Sequence, residues 1–432
     1  MKAGFAKACI TPPPGTKMAG FWTRDREPRG AESVHDDLHV RALYLQHDGE
    51  EALLAGFDLL FFSRANADRL KGAVGRTLDL APRNILINTS HTHSGPCVDT
   101  VSFNGLGMPD LDYMDDVELA FTAAAREARD GARDVSVWAG ATRSRLPVSR
   151  RRPDGKGGVR WGPDPDGLVC DRLPVCLLKD EKGKPVCLLF SVACHPTTTS
   201  GWAISAEYPG VACARLDEHL GATCSLFLQG AGGDAKPRVV ADGPGGRWRN
   251  GDWGDVAAAG AGVAEEVIGS IQKGLRELAP ALCSHLIETE WPLQSLPTRQ
   301  DLERLLGSDD EMKRRWVEYP LRLLDRGREL AARARLLAHG VRLAEGLRIV
   351  ALEGELVGEL GLKVVSRYPQ GITFALGYSN GTGLYLPASH MLAEGGYEVE
   401  SHLEYGYAAP LAEGVEKVID NAVAALKEAG IR

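Results

Sequence analysis

The chain has 432 residues, of which 44% are hydrophobic and 25% are charged, a composition typical of a soluble globular protein. Its formal net charge is −8 and it contains no long basic run, which disfavours nucleic acid and anionic membrane surfaces as partners. The longest hydrophobic stretches have about ten residues, half of the roughly 20 that a membrane-spanning helix needs, so no integral membrane segment is predicted.

The amino-terminal segment and the cysteines indicate the compartment. Residues 1–15 contain an early lysine but no apolar stretch of the kind that secretory signals carry. The nine cysteines are odd in number, form no C-x-x-C pair, and several lie inside apolar runs. This pattern favours buried free thiols in a reducing compartment, and we therefore expect a cytoplasmic protein.

Strands and helices alternate along the first third of the chain. Apolar patterning predicts strands at 38–46, 51–62, 84–90 and 135–144, with helices at 64–78 and 112–130. Residues 150–170 are rich in Pro, Gly and Asp and are expected to form an irregular surface loop. The alternation predicts an α/β fold with a mixed β-sheet core flanked by helices.

The remaining elements continue the pattern. A hairpin is predicted from residues 172–180 and 184–194, then a helix at 208–221, a strand at 222–230, a glycine-rich loop at 230–254 and a helix at 255–277. The charged, periodic stretch 299–339 predicts an added helical hairpin interrupted near Pro320, which we interpret as a cover or a homo-oligomer contact. Strands near 347–356 and 371–380 and a helix at 411–428 follow. Because no repeat or linker occurs, we predict a single domain over 1–432.

Two histidine motifs follow apolar strands. His91 and His93 stand two residues apart in the run INTSHTHSGP, a spacing that places both rings on one side of an extended chain. His195 follows another apolar strand in LLFSVACHPTTT. Either motif alone could be structural, but zinc sites collect ligands from several strand ends, and the pair therefore indicates a metal site.

Weaker signals lie near the carboxyl end. Glu355 stands at a predicted strand-to-helix change in LEGELVGELG, although it could equally belong to a solvated helix face with Glu359. Tyr385 and Tyr397 lie in polar, glycine-rich surroundings that are unusual for core tyrosines. These residues are therefore candidates for the same site.

Motifs along almost the whole chain resemble, in the same order, those of the neutral, alkaline-type ceramidases. They are GFAKACITPPPG, VHDDLHVRALYL, NTSHTHSGP, CHPTTT, QGAGGDAKP, EGEL and NGTGLYLP with GGYEVE, and HTHSGP is the most specific. The resemblance implies a short, bacterial-type member that contains the catalytic domain without the family's carboxyl-terminal sandwich domain. It also implies the family's activity, which is zinc-dependent hydrolysis of the N-acyl bond of ceramide, a lipid-like amide.

The resemblance further implies roles for single residues. By position, the zinc ligands would be His91, His195, Glu355 and Tyr385. His93 would stand beside the metal and face the substrate, and Tyr397 and Arg150 would contact it. Apart from the resemblance, a hydrolytic mechanism needs a group that moves a proton to the leaving group, and either Asp234 or His93 is a candidate for it. His35, beside two aspartates, is a further candidate for the substrate pocket.

One residue departs from the family pattern. The family has a Gly-Asp-Val-Ser-Pro run, where this chain reads Gly233-Asp234-Ala235-Lys236-Pro237. Lysine excludes a serine acyl-enzyme at this place. A cation in the pocket favours a small-molecule amide that is smaller or more polar than ceramide, although Lys236 could also be a solvated loop residue.

Three other functions remain open at this stage. A zinc-dependent esterase or deacetylase on a small polar or anionic molecule would use the same residues. A non-catalytic zinc- or sugar-binding protein is disfavoured by the open glycine-rich loop. A thiol enzyme that pairs Cys194 with His195 is disfavoured because adjacent strand residues point to opposite faces.

Overall fold

Alternating apolar residues place two β-sheets face to face, with helices on both outer surfaces. The computed structural model of the chain describes residues 1–21, 24, 29–99 and 111–432. Within these ranges the core therefore has four layers, in the order helix, sheet, sheet, helix.

The strands are short to medium in length and run throughout the chain. In chain order they are β1 Lys2–Cys9, β2 Ser33–Val34, β3 His39–His47, β4 Glu50–Phe57, β5 Ile85–Thr89, β6 Arg133–Arg143, β7 Pro147–Pro153, β8 Val159–Asp164, β9 Arg172–Asp180, β10 Pro185–Val192, β11 Ala203–Ile204, β12 Ser225–Gln229, β13 Ala235–Pro237, β14 Arg276–Leu278, β15 Pro280–Pro292, β16 Arg333–Ala344, β17 Leu347–Leu352, β18 Glu355–Leu356, β19 Ile372–Leu376 and β20 Tyr385–Leu386.

The helices lie between these strands. They are α1 Arg64–Leu78, α2 Leu111–Asp130, α3 Glu207–Leu220, α4 Trp253–Gln272, α5 Arg299–Leu305, α6 Glu311–Asp325, α7 Gly358–Ser366, α8 Met391–Glu394, α9 Tyr397–Glu400, α10 His402–Tyr405 and α11 Val415–Glu428. Short 3₁₀ turns cover Pro82–Asn84 and Arg238–Val240.

The larger sheet has the strand order β12-β10-β9-β6-β1-β3-β4-β5, with β14 paired to β6. Its pairs are antiparallel except at the two ends, where β4 pairs with β5 and β10 with β12 in parallel. The smaller sheet has the order β15-β16-β17-β19, and its pair β17–β19 is also parallel. Both sheets therefore combine parallel and antiparallel pairs, and the predicted mixed β-sheet core is confirmed.

Strand periodicity explains the layers. In β4, Leu54 faces the smaller sheet while Leu53 faces α1 and α2. In β17, Ile349 faces the larger sheet while Val350 faces α7 and α11. Side chains alternate between faces along a strand, so strands that are buried on both faces must be apolar at every position.

Two predicted segments differ from the structure. Residues 150–170 are not an irregular loop, because most of the segment forms the hairpin of β7 and β8. The helical pair α5 and α6 ends at Asp325, and residues 333–339 belong to strand β16. Pro320 lies inside α6 and does not end it. The pair packs through Leu302 and Trp316 against Leu403 of α10.

None of the helices in the described ranges is both long and apolar enough to cross a membrane.

Candidate metal centre

Strand ends from both sheets meet at one end of the sandwich. His91 follows β5, His195 follows β10, and Glu355 follows β17 after a short turn. Asn88 links these ends, since its side-chain amide donates to the carbonyl oxygen of Gly377 at 2.9 Å and its carbonyl oxygen accepts from the backbone N–H of Gln229 at 2.7 Å. The predicted ligands are therefore brought together by the sheet scaffold.

The backbone at His91 is strained. Its φ angle is +66°, in the left-handed region that side chains other than glycine rarely adopt. A backbone hydrogen bond from His91 to the carbonyl oxygen of Leu59, 2.9 Å long, holds this conformation. Strain of this kind costs about 1–3 kcal/mol and is concentrated at functional sites.

Three backbone carbonyls fix the orientation of the three imidazole rings. The Nδ1 atom of His91 lies 2.8 Å from the carbonyl oxygen of Leu60, and that of His195 lies 2.7 Å from that of Gly232. The Nδ1 atom of His93 contacts the carbonyl oxygen of Gly20 in the same way. Because a carbonyl only accepts, each Nδ1 must carry the proton, and each Nε2 keeps its lone pair.

Glycine is required at the position that orients His93. A Cβ atom on Gly20 would lie 2.7 Å from Nδ1 of His93, and the φ angle of Gly20 is +99°. The carbonyl can approach the ring only because no side chain stands between them.

The unprotonated nitrogens converge on the carboxylate of Glu355. Its Oε2 atom lies 3.2 Å from Nε2 of His91 and 3.2 Å from Nε2 of His195. The hydroxyl of Tyr385 lies 3.2 Å from Nε2 of His195, and Nε2 of His93 lies 3.3 Å from Nε2 of His91. One small space is thus surrounded by all four predicted zinc ligands and by His93.

The donor set fits a metal ion. With ligand bonds of about 2.0–2.2 Å and tetrahedral angles, neighbouring donor atoms lie roughly 3.3–3.6 Å apart, close to the separations observed. Oε2 of Glu355 is buried and accepts no hydrogen bond from any residue in the described ranges. The lone pairs of His91 Nε2 and Glu355 Oε2 face one another with no proton between them, and this arrangement is suited to a cation.

The pKa values of His195 and His93 favour neutral imidazole. Burial, followed by the nearby Arg150 cation, lowers the pKa of His195 to about 3. Burial, followed by the other imidazoles, lowers the pKa of His93 well below its ordinary value. Neutral imidazole is the form that binds metals and accepts protons.

A second tyrosine orients the carboxylate. The hydroxyl of Tyr405 donates a hydrogen bond to Oε1 of Glu355, which leaves Oε2 directed at the histidines. Contacts of this kind typically fix the geometry of a metal ligand. Sequence reasoning did not identify Tyr405.

Arg150 reaches the site and is held by a buried carboxylate. Its Nε donates to Oε1 of Glu398 at 2.7 Å, and its Nη1 lies 3.3 Å from Nε2 of His195. Arg151 donates from Nη1 to Oε2 of the same glutamate at 2.7 Å. The pairing of β7 with β8 shifts register between Ser149 and Arg151, and this bulge allows two consecutive arginines to reach one partner.

Tyr397 and Glu404 lie on the other side of the arginine. The Tyr397 hydroxyl donates to Oε2 of Glu404 at 2.8 Å, and its ring lies 5.4 Å from that of Tyr385. Burial raises the pKa of Glu404 to about 7. The predicted substrate-contacting tyrosine is therefore adjacent to a proposed zinc ligand, with its hydroxyl hydrogen-bonded.

Asp234 contacts the backbone next to two residues of the site. Its Oδ1 accepts from the backbone N–H of Gly358 at 2.8 Å, and its carbonyl oxygen accepts from the backbone N–H of Arg150 at 2.8 Å. Burial raises its pKa to about 6. No hydrogen bond within the described ranges joins its carboxylate to the histidines, and its role in proton transfer stays a prediction.

Lys236 is a partly buried cation beside the strand end that carries His195. Its Nζ donates to the carbonyl oxygen and the hydroxyl of Thr197, at 3.1 and 2.9 Å. It is thus not a solvated loop residue.

His35 lies apart from the centre. It is exposed, and its ring stacks on Trp253 with centroids 3.9 Å apart. Among the described residues, no hydrogen bond or ring contact joins it to the three histidines. Its predicted part in substrate binding therefore gains no support from its contacts.

Cys194 does not behave as a nucleophile. Burial raises the pKa of its thiol well above the ordinary value, and its Sγ contacts the carbonyl oxygen of His195 and not the imidazole. The thiol-enzyme alternative is disfavoured because its thiolate is not accessible at neutral pH.

Comparison with known proteins supports the fold. No protein-family model and no curated protein sequence matches the chain. The structure is similar to the crystal structure of neutral ceramidase from Pseudomonas aeruginosa, with a TM-score of 0.76, 15% sequence identity, and coverage of 99% of this chain and 74% of that one. A structure described as ceramidase complexed with C2 matches with a TM-score of 0.76, 14% identity, and coverage of 100% and 76%. The predicted likeness to neutral ceramidases is thus confirmed at the level of the fold.

Proposed function

We propose that the protein is a zinc-dependent hydrolase that cleaves an amide bond of the N-acyl type, and that its substrate is smaller or more polar than ceramide. The observation that carries the proposal is that the Nε2 atoms of His91, His93 and His195 face one space, in which those of His91 and His195 lie 3.2 Å from the buried Oε2 of Glu355. The fold supports the choice of an amide as substrate, because two solved structures that resemble this one are ceramidases.

The four predicted ligands have the chemistry that zinc requires. His91, His195 and Glu355 supply two neutral nitrogens and a carboxylate, as in many catalytic zinc sites, and Tyr385 supplies an oxygen. When bound, such an ion polarises a carbonyl group and lowers the pKa of water from about 15.7 to about 7.

His93 is placed to move a proton. Its Nδ1 proton is engaged by the Gly20 carbonyl, so Nε2, which faces the centre, is the atom that can accept a proton from water and return it to the leaving amine. Its lowered pKa keeps it neutral near pH 7, which is the form that can accept a proton.

Arg150 and Tyr397 supply hydrogen-bond donors near the acyl group. The Nη2 atom of Arg150 is buried and has no partner in the described part of the chain, so it can donate to the oxygen of a carbonyl that is under attack. The Tyr397 hydroxyl can do the same if it leaves Glu404. Loss of one such donor typically slows a reaction by about 100- to 1000-fold.

Metal analysis and a matched substrate panel test the proposal. The purified protein should contain about one zinc per chain by elemental mass spectrometry, and the double variant His91→Ala, His195→Ala should lose both zinc and turnover. The exposed His219, at the end of α3, provides a control in His219→Ala, which should keep both. Full zinc retention in the double variant would contradict the assignment.

Amides and esters with the same acyl group separate the proposed reaction from esterase or deacetylase activity. An amidase should cleave amides in the panel with a kcat/KM that depends on zinc. Cleavage of esters alone would overturn the amide assignment and leave the metal site intact.

A cytoplasmic location and a single-domain organisation are part of the same proposal. Cys97, Cys170, Cys176, Cys187, Cys194, Cys213 and Cys224 are buried free thiols, and burial raises the pKa of Cys176 to about 12. Such thiols suit a reducing compartment. Fractionation of the source cells and limited proteolysis of the purified chain would test the two points.

A further inference from the structure

Lys236 occupies a position from which it can reach a substrate. It lies on β13, one residue after Ala235, whose carbonyl oxygen accepts the backbone N–H of His195 at 3.0 Å. Its Nζ contacts Thr197, which stands two residues after His195 in the chain. The ammonium group therefore lies near the reacting centre and not on a remote surface.

The protein leaves this ammonium group without a counter-ion. Both hydrogen-bond partners of Nζ are neutral oxygens of Thr197, which leaves one of its three N–H donors available. No carboxylate in the described ranges lies within 4.0 Å of it. Glu207 is the carboxylate that most favours its charged form, but the oxygens of Glu207 already accept from Thr198, Thr199 and Tyr208.

A second donor stands beside the lysine. Nζ lies 5.7 Å from the centre of the Trp248 ring, and the indole Nε1 of Trp248 is buried with no hydrogen-bond acceptor among the described residues. A buried donor without an acceptor is destabilising, so an acceptor group from outside the chain is expected there. An ammonium group with an unused N–H, next to a tryptophan whose indole N–H also has no acceptor among the described residues, matches an anion that accepts hydrogen bonds.

We propose that Lys236 and Trp248 bind a carboxylate of the substrate, so that the hydrolysed amide is anionic. This inference rests on the proposed hydrolase function and specifies its substrate class. The carboxylate belongs either to the acyl part, as in a monoamide of a dicarboxylic acid, or to the amine part, as in an N-acyl amino acid. Lysine at the position of the family's serine would make this enzyme prefer an anionic amide, whereas the family's substrate is an uncharged lipid.

Paired substrates that differ only in charge test the inference and separate its two forms. For the amine side, N-hexanoylglycine is compared with N-hexanoylglycinamide. For the acyl side, the monoanilide of glutaric acid is compared with the anilide of pentanoic acid. In one pair the wild-type enzyme should favour the charged member, and Lys236→Met should lower the ratio of the two kcat/KM values by about 10- to 100-fold.

Two further variants separate charge from shape. Lys236→Arg keeps the charge and should retain most of the preference for the charged substrate. Lys182→Met removes an exposed lysine from the turn between β9 and β10 and should leave the ratio unchanged. Equal ratios in the wild-type enzyme and Lys236→Met for both pairs would overturn the inference.

Calorimetric titration with propane-1-sulfonate distinguishes failure of this inference from failure of the proposed function. The sulfonate is a weak metal ligand, so binding that is lost in Lys236→Met but kept in Lys236→Arg would support the anion site even if no amide is cleaved. Amide cleavage with unchanged charge ratios, together with sulfonate binding that does not depend on Lys236, would refute the anion site and leave the hydrolase standing.

Discussion

Glu398 offers the most demanding test of the electrostatic arrangement. It is the buried partner of two consecutive arginines, and the side chains of Arg150, Arg151 and Glu398 are 3%, 5% and 2% exposed. The substitution Glu398→Gln keeps the shape and removes the charge. Two guanidinium groups then remain buried, and only Arg151 keeps another carboxylate, that of Glu394 at 2.9 Å.

The substitution lowers the free energy of unfolding because the two buried arginines lose the carboxylate that balances their charge. Removing one partner of a buried ion pair costs about 3–5 kcal/mol, because the remaining charge stays desolvated and unpaired. The glutamine carbonyl can still accept one of the two 2.7 Å hydrogen bonds, so the lower end of that range is expected. Urea denaturation of Glu398→Gln should therefore show a loss of about 3 kcal/mol in the free energy of unfolding at pH 7.

The pH dependence has a defined sign. Burial opposes ionisation of Glu398, but Arg150 and Arg151 outweigh it and lower its pKa below the ordinary value of 4.5. A lowered carboxyl pKa stabilises the folded state above the unfolded value and loses that contribution as the pH falls through the folded value. The difference between wild type and Glu398→Gln should thus be complete at pH 7 and should shrink below pH 4.5.

A control and a double variant complete the test. Glu345 pairs with Arg342 at the surface with 64% of its side chain exposed, so Glu345→Gln should cost less than about 1 kcal/mol. Adding Arg150→Met to Glu398→Gln removes one unpaired charge, and the double variant should be about 1–3 kcal/mol more stable than the sum of the single losses predicts. A loss in Glu398→Gln no greater than in Glu345→Gln would refute the reasoning.

Three further predictions concern the site. Tyr405→Phe removes the hydrogen bond that orients the proposed carboxylate ligand and should weaken zinc affinity by about 10- to 100-fold, measured by competition with a chelator. Burial lowers the pKa of Lys236 to about 8, so the preference for charged substrates in paired kinetic assays should decline as the pH rises through about 8; a flat profile would count against its charge. Gly20→Ala places a Cβ atom against His93 and should reduce kcat, whereas Gly183→Ala, with φ +75° and open space around it, should cost only the backbone strain of about 1 kcal/mol.

Local signals predicted most individual elements. Helix α1 begins and ends at the predicted residues, since Ser63 caps its first turn and Asp79 ends it in a left-handed conformation. The strands β9 and β10 are apolar at nearly every position and bounded by a clear turn. Such features depend only on neighbours in the chain, which sequence patterns record.

The stacking of two sheets could not be predicted from periodicity. A strand buried on both faces is apolar at every position whether a helix or another sheet covers it, so the sequence does not identify the covering layer. The hairpin β7–β8 was missed because its Pro, Gly and Asp residues are typical of loops. Its arginines, Arg150 and Arg151, are buried through ion pairs with Glu398, a partner that the local sequence does not reveal.

The residues of the site likewise fall into those that local motifs predicted and those that the sequence did not reveal. His91, His93 and His195 were predicted from motifs at strand ends, Glu355 and Tyr385 gave weaker local signals, and the resemblance to a family assigned both of them as ligands. Glu398, Tyr405 and Trp248 were missed, because their significance lies in partners that stand far away in sequence. Arg150 and Glu398, for example, are separated by 248 positions.

The pairing of β18 with β20 has a consequence for the divergence of such enzymes. Glu355 and Tyr385 are direct neighbours across this two-residue parallel ladder, which a 2.9 Å hydrogen bond from the backbone N–H of Glu355 to the carbonyl oxygen of Leu384 holds. The distance between the two side chains is therefore set by one rung of backbone and not by the length of the intervening segment. A change of length in the exposed turn at 369–371, between α7 and β19, would leave this rung, and with it the spacing of the two side chains, in place.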